Sequence, residues 1–289
     1  MEQTEHSPSI ALPAHTIQDH WITLEGARMR YLRAGLGPPL ILLHGLLGYS
    51  FSWRYTIPAL AEQATVYAVD MLGVGFSDRP AGLDCCLRSC AERLLAFMDA
   101  AGLPSCNLVG TSHGGAVAMM AAGLAPERIE KLILVAPANP WSLRGSQMAA
   151  FLSSPVVAPM FLQVAPMMEF MHGFLLRNLY GDPARIRPGT LEGYSAPFRI
   201  PEAFKYGISV VSSWAGDLKQ LEQVLPGIRH IPALLIWGSK DRAVDPESGT
   251  QLLKAFDCAR LVTLEGVGHL PYEENPEKFN QTVLDYLSS

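Results

Sequence analysis

Apolar residues along this chain collect in short, unbroken runs instead of alternating with polar ones. PPLILLHG stops at His44-Gly45, TVYAVD at Asp70, and Cys106-Asn107-Leu108-Val109 just before Gly110. KLILVAP stops at Pro137, PALLIWG at Gly238 and ARLVTLEG at Gly266. Leu, Ile and Val without alternation mark strands covered on both faces, as in a parallel sheet. Ahead of them, WITLEG and ARMRYLRAG read as an opening hairpin. Helical stretches lie between the runs, notably 87–102, 113–124 and 276–287. Strand, helix, strand repeated this way predicts an α/β sheet with right-handed crossovers.

The rhythm fails once. Between Pro137 and about Gly227 no buried strand is evident, only Met, Phe, Pro and short helical patches. Some ninety residues without a strand are too many for a loop in a compact domain. The expected organisation is therefore a tail over 1–20, a core over 21–137 and 227–289, and an inserted, mostly helical cap over 138–226.

Composition narrows the function classes. Apolar residues are 49% and charged residues 17%, as in a globular protein. A net charge of −5 without a basic run gives no footprint for nucleic acid. The apolar stretch 148–171 is broken by Pro155, Pro159 and Pro166 and contains Glu169, so it does not fit a membrane span. Residues 1–20 carry Glu2, Glu5 and Asp19 and have no apolar core, so no secretory signal is expected there. Cys85, Cys86, Cys90, Cys106 and Cys258 form no zinc-like pair. Free thiols in a cytoplasmic protein, with neither metal nor cofactor, are expected.

The chemistry starts at Gly110-Thr111-Ser112-His113-Gly114. A serine between glycines, with a strand before and a helix after, fits a tight turn that lifts its hydroxyl above the sheet edge. Ligands of an open parallel sheet sit beyond the carboxyl ends of its strands. After PALLIWG come Asp241 and then Asp245; after ARLVTLEG comes His269. A nucleophile, two candidate acids and a base thus leave the same edge. A serine hydroxyl needs such a base, and the base needs a carboxylate to fix its tautomer. The developing oxyanion needs two donors, expected from the backbone N–H of His113 and of Leu46. Asp70, followed by Gly73 and Gly75, reads as a turn residue. The side chain of His113, next to the serine, cannot easily aim back at it and reads as packing.

L-L-H-G (42–45), D-M-L-G-V-G-F-S (70–77), G-T-S-H-G-G (110–115), W-G-S-K-D (237–241) and G-V-G-H-L (266–270) together resemble the α/β-hydrolase superfamily, from about Ile22 to Leu287. The resemblance implies Ser112 as nucleophile, His269 as general base, Asp241 rather than Asp245 as orienting acid, and a cap over the site. It gives His44 a supporting role in the oxyanion loop. Members that open epoxides or cleave carbon–halogen bonds carry aspartate at the elbow, where this chain has Ser112. The loop H-G-L-L-G is neither the H-G-G-G of one lipase and esterase group nor the H-G-x-P of epoxide hydrolases. Ring-cleavage hydrolases commonly carry an aromatic residue after the base; here it is Leu270. The expected activity is a serine esterase acting on small or medium apolar esters. Carbon–carbon hydrolysis, perhydrolysis and a small-molecule receptor on the same fold are the alternatives. Substrate contacts are expected from Trp141, Met148, Met168, Met171 and Leu270, within a Met- and Phe-rich cap that also includes Phe151, Met160, Phe161, Met167 and Phe174.

Overall fold

A computed structural model describes residues 16–142, 151–165 and 169–289. Eight strands form one sheet: β1 (Gln18–Leu24), β2 (Ala27–Ala34), β3 (Pro39–Leu43), β4 (Thr65–Val69), β5 (Cys106–Thr111), β6 (Ile129–Val135), β7 (Ala233–Gly238) and β8 (Ala259–Leu264). Their order is β1-β2-β4-β3-β5-β6-β7-β8. β1 and β2 are antiparallel, β2 meets β4 antiparallel, and β3 through β8 run parallel.

The hairpin turns at Glu25-Gly26, both at positive φ (51° and 84°), the backbone that a two-residue hairpin loop requires. β1 starts at Gln18, so residues 18–20 belong to the sheet and not to the tail assigned from the sequence. Cross-strand partners recruit these polar residues: Asp19 pairs with Arg30 at 2.7 Å, and His20 stacks on Tyr31.

The continuous apolar runs are explained by two cores, one on each face. Along β6, Leu132 and Leu134 enter the first core while Ile133 and Val135 enter the second. β3 divides in the same way, Ile41 and Leu43 against Leu40 and Leu42. A residue pointing to either face finds an apolar layer, so neither face selects polar side chains.

Ten helices complete the described fold: α1 (Ile57–Leu60), α2 (Leu87–Ala100), α3 (His113–Leu124), α4 (Val157–Val164), α5 (Glu169–Leu179), α6 (Thr190–Ser195), α7 (Lys205–Ile228), α8 (Pro246–Leu253), α9 (Pro271–Glu274) and α10 (Pro276–Leu287). Among the described residues, none between Val135 and Ala233 is in a strand. No helix of the described residues is long and apolar enough to cross a membrane. The five cysteines are free.

The inserted region differs from the expected 138–226 at its far end. α7 runs through residue 226 and buries Leu218, Leu221, Leu225 and Ile228 in the first core; Tyr206 and Val210 join them. This helix is therefore packed as a layer of the sheet, whereas α4 has no buried residue. An apolar stripe in the sequence does not say which partner it covers.

α7 approaches α3 closely where α3 carries Gly123. A methyl group added there would lie 2.1 Å from Val224 Cγ1. In an exposed helix glycine-to-alanine is stabilising, but here the overlap with a stiff β-branched side chain dominates. Gly123→Ala should destabilise by about 1–3 kcal/mol, and Val224→Ala in that background should recover part of the loss. Urea unfolding of the two variants against wild type measures this, and independent, additive effects would contradict the α3–α7 contact.

Candidate active site

Reversal of the strand order around β3 opens a crevice between the ends of β3 and β5, where ligands of such sheets bind. Both the elbow and the His44-Gly45 loop emerge there. Ser112 holds φ 52°, ψ −121°, a backbone that costs a side-chain-bearing residue on the order of 1–3 kcal/mol. Four backbone bonds hold it: Ser112 N–H to Val135 O at 3.0 Å, and to Ser112 O the N–H groups of Ala138 at 2.9 Å, Gly115 at 3.0 Å and Ala116 at 3.3 Å. The flanking glycines make the turn possible. A methyl on Gly110 would be 2.4 Å from Gly114 O, and one on Gly114 would be 2.3 Å from His44 O.

On the neighbouring strand, Gly45 faces the serine; a methyl there would lie 3.3 Å from Ser112 Cβ. The loop is fixed by His44. Met71 N–H donates to His44 Nε2 at 3.2 Å, so Nδ1 carries the proton and donates to Gly45 O at 2.8 Å. Burial pushes this imidazole's pKa down, keeping it neutral. Both ring nitrogens are engaged, which leaves His44 a fastening and not an acid or base. Leu46 follows at the exposed end of the loop, and His113 is the first residue of α3. Among the described residues neither backbone N–H has a protein acceptor.

Asp241 and His269, the expected acid and base, follow β7 and β8. His269 Nδ1 lies 2.8 Å from Asp241 Oδ2, both side chains buried. The other carboxylate oxygen accepts from Ala243 N–H at 2.8 Å and Val244 N–H at 3.0 Å. Asp241 can therefore only accept from the ring, and Nε2 is left as the basic nitrogen. Asp245 instead caps α8, accepting from Glu247 N–H at 3.1 Å. Asp70 is a turn anchor: it accepts from the N–H groups of Ser50 and Phe76 and pairs with Arg30 at 3.1 Å.

The expected substrate contacts divide. Leu270 is buried in the second core with Tyr180, Val267 and Tyr272. Trp141 is partly exposed just beyond β6, its N–H bonded to Asn139 Oδ1. Met171 is half-buried on α5. Met148, Met167 and Met168 lie outside the described residues. Phe151, Met160 and Phe174 are exposed, whereas Phe161 packs on Phe204.

The sequence reading missed two buried acids just past the base. Glu273 accepts from both ends of the Arg54 guanidinium and from Tyr194 at 2.7 Å; Glu274 accepts from backbone N–H groups on both sides of α9. Charged residues on a short helix ordinarily read as surface, and nothing in their spacing signals the partners.

The sequence family described as "alpha/beta hydrolase fold" matches residues 38–166. An uncharacterized hydrolase of Bacillus subtilis is 28% identical over 86% of this chain and 89% of its own length. The 2-hydroxymuconate semialdehyde hydrolase of a Pseudomonas species is 26% identical over 92% and 93%. Among solved structures, epoxide hydrolase CorEH superposes with a TM-score of 0.82 at 24% identity, covering 94% of this chain and 99% of that one. The chain belongs to the α/β-hydrolase superfamily. His113, the residue after Ser112, is buried between Tyr206 and Trp214.

Burial, with a smaller contribution from His44, lowers the His113 pKa from 6.5 to about 3. The folded protein thus keeps this ring neutral where the unfolded chain protonates it. Stability from this group is complete above about pH 6.5 and is lost as pH falls toward 3. Between pH 7 and pH 5 the loss from His113 alone is about 2 kcal/mol. His113→Phe should flatten the acid side of the stability curve by that amount, read from urea midpoints at the two pH values. An equal drop in variant and wild type would show that His113 is not buried neutral.

Proposed function

We propose that the protein is a serine hydrolase that cleaves carboxylic esters of small or medium apolar substrates through an acyl-enzyme. The reading is carried by the 2.8 Å contact of His269 Nδ1 with Asp241 Oδ2 at the sheet edge where Ser112 stands in a strained elbow. Ser112 Oγ attacks the ester carbonyl carbon, and its proton passes to His269 Nε2. The carbonyl oxygen becomes an oxyanion facing the N–H groups of Leu46 and His113, each such donor contributing about 2.7–4 kcal/mol. Collapse breaks the carbon–oxygen bond, and His269 returns the proton to the departing alcohol. Water repeats the sequence on the acyl-enzyme and releases the acid. Ester and water enter; acid and alcohol leave.

A second reading, carbon–carbon bond hydrolysis, is favoured by one observation: relatives named as 2-hydroxymuconate semialdehyde and 2-hydroxy-6-oxo-2,4-heptadienoate hydrolases align along most of the chain. Such substrates carry a carboxylate. Among the described residues Arg54 is committed to Glu273, and Arg177 and Arg199 are exposed, which weighs toward an uncharged substrate; Arg144 lies outside the described residues. A haloalkane dehalogenase is also a relative, but serine at the elbow cannot form the carboxylate ester that chemistry uses.

The deciding measurement is kcat/KM across acetate, butyrate, hexanoate and octanoate esters, a succinate monoester and a ring-cleavage dienoate. Apolar esters should dominate, and each methylene the crevice accommodates should change kcat/KM by a factor consistent with about 1–3 kcal/mol. Ser112→Ala should abolish turnover with an unchanged melt, and a phosphonate should label Ser112 but not Cys258. Dominance of the dienoate would replace the ester reading with the second one.

Acid assignment is tested separately. Asp241→Asn should lower kcat on the order of 10⁴-fold, because the imidazole loses its tautomer. Asp245→Asn keeps a side chain that caps a helix about as well as aspartate, so kcat and stability should both stay near wild type. The reverse order of effects on kcat would exchange their roles.

A further inference from the structure

Five residues beyond the base, the buried carboxylate of Glu274 accepts four hydrogen bonds. Oε2 takes the N–H of Gly268 at 2.8 Å and of Gly181 at 2.9 Å. Oε1 takes the N–H of Asp182 at 2.9 Å and Arg185 Nη1 at 3.2 Å. One side chain thus spans the residue before His269 and the segment that leaves α5. The same segment grips His269 directly, since His269 N–H donates to Leu179 O at 2.7 Å.

The two stretches lie backbone against backbone. A methyl on Gly268 would be 2.4 Å from both Gly181 N and Leu179 O, and one on Gly181 would be 2.6 Å from Gly266 O. On its other side the base loop accepts from Lys240 N–H through Val267 O at 2.9 Å, next to Asp241. Asp241 fixes the tautomer of the ring, but one hydrogen bond to Nδ1 leaves the ring free to swing about that contact. The position of Nε2 therefore depends on where the backbone of residue 269 is held. On the side of the inserted region its holders are Leu179 and, through Gly268, Glu274.

We infer that Glu274 is a positioning residue for His269, and that the seat of residues 179–182 against the base loop sets the catalytic geometry. The inserted region is then one wall of the base's cradle as well as a cover for substrate. The inference rests on His269 acting as the base.

Glu274→Gln replaces an oxygen that faces N–H donors with an amide NH2 and removes one side of the clamp. Displacing a catalytic group by about 1 Å lowers turnover on the order of 10²-fold, so kcat per phosphonate-titrated site should fall about 10- to 100-fold. KM should stay within about twofold, and the phosphonate labelling rate should fall in step with kcat. Wild-type kcat per titrated site, however far the melting temperature drops, would reduce Glu274 to a stabilising contact and overturn the inference. Wild type and Ser112→Ala run alongside. Turnover that survives in Ser112→Ala would fault the serine-hydrolase reading itself, a result distinguishable from an unaffected Glu274→Gln. A measurement on the unaltered protein covers the case in which the variant does not fold. Under increasing urea, amide exchange in peptides 179–185 and 265–270 should open together as one unit. Protection of 265–270 that outlasts that of 179–185 would show the base loop to be held independently, and would overturn the inference.

Discussion

The contact on which the site depends is the approach of Gly114 to the end of β3, with its would-be side chain 2.3 Å from His44 O and 2.6 Å from Leu43 O. Only the absence of a Cβ lets α3 start this close to the sheet. That closeness forces the turn after β5 to be tight, and the tight turn puts Ser112 at φ 52°. It also brings the His44-Gly45 loop beside the serine, because β3 and β5 are in register with Leu43 opposite Gly110. The elbow serine and the His44-Gly45 loop are thus brought together by a single packing event between two neighbouring strands. The strain at Ser112 persists because surrounding backbone bonds over-determine it.

Buried polar groups around that contact are arranged so that each titratable one has a fixed state. His44 is held neutral by burial and by using both nitrogens. His113 is held neutral by burial between aromatic rings. Asp70 and Glu273 are matched to Arg30 and Arg54, which keep their guanidinium charge. His269 differs: its only bonded ring nitrogen, among the described residues, is the one facing Asp241, and the other remains available for proton transfer. Removing either arginine would leave a buried carboxylate without its counterion, a change that costs about 3–5 kcal/mol.

What the sequence made legible follows from how local each cause is. A parallel strand covered on both faces must be apolar throughout, so β3 to β7 could be placed within a residue or two. G-x-S-x-G is a steric requirement written in adjacent residues, so the elbow was readable too. Asp241 and His269 were readable because each follows a strand whose end is recognisable. The misplaced end of the insertion has a different origin: α7 has an apolar stripe, and only packing on Gly123 and its neighbours shows that the stripe faces α3. Leu270 adjoins His269 and so reads as a substrate contact, but the sequence does not show that it is buried in the second core. Glu273 and Glu274 were invisible for the complementary reason. Their partners lie at Arg54, Tyr194, Gly181 and Asp182, far away in sequence and on segments without a periodic signal.

The same acids also fasten the inserted region to the rest of the molecule. The insertion is fastened at points of high contact: α7 through the first core, Tyr194 through Glu273, and residues 181–182 through Glu274. Between these points α4 buries nothing fully and exposes Val156, Met160 and Val164 along one side. Opening free energy follows burial and bonded backbone, so α4 belongs to the less stable part of the molecule and the fastened segments to the more stable part. Apolar side chains that are loosely packed can repack around differently shaped substrates. The base loop needs the opposite property, a single well-defined position. Placing the fastenings next to His269, and the adaptable apolar surface away from them, lets one inserted region meet both demands.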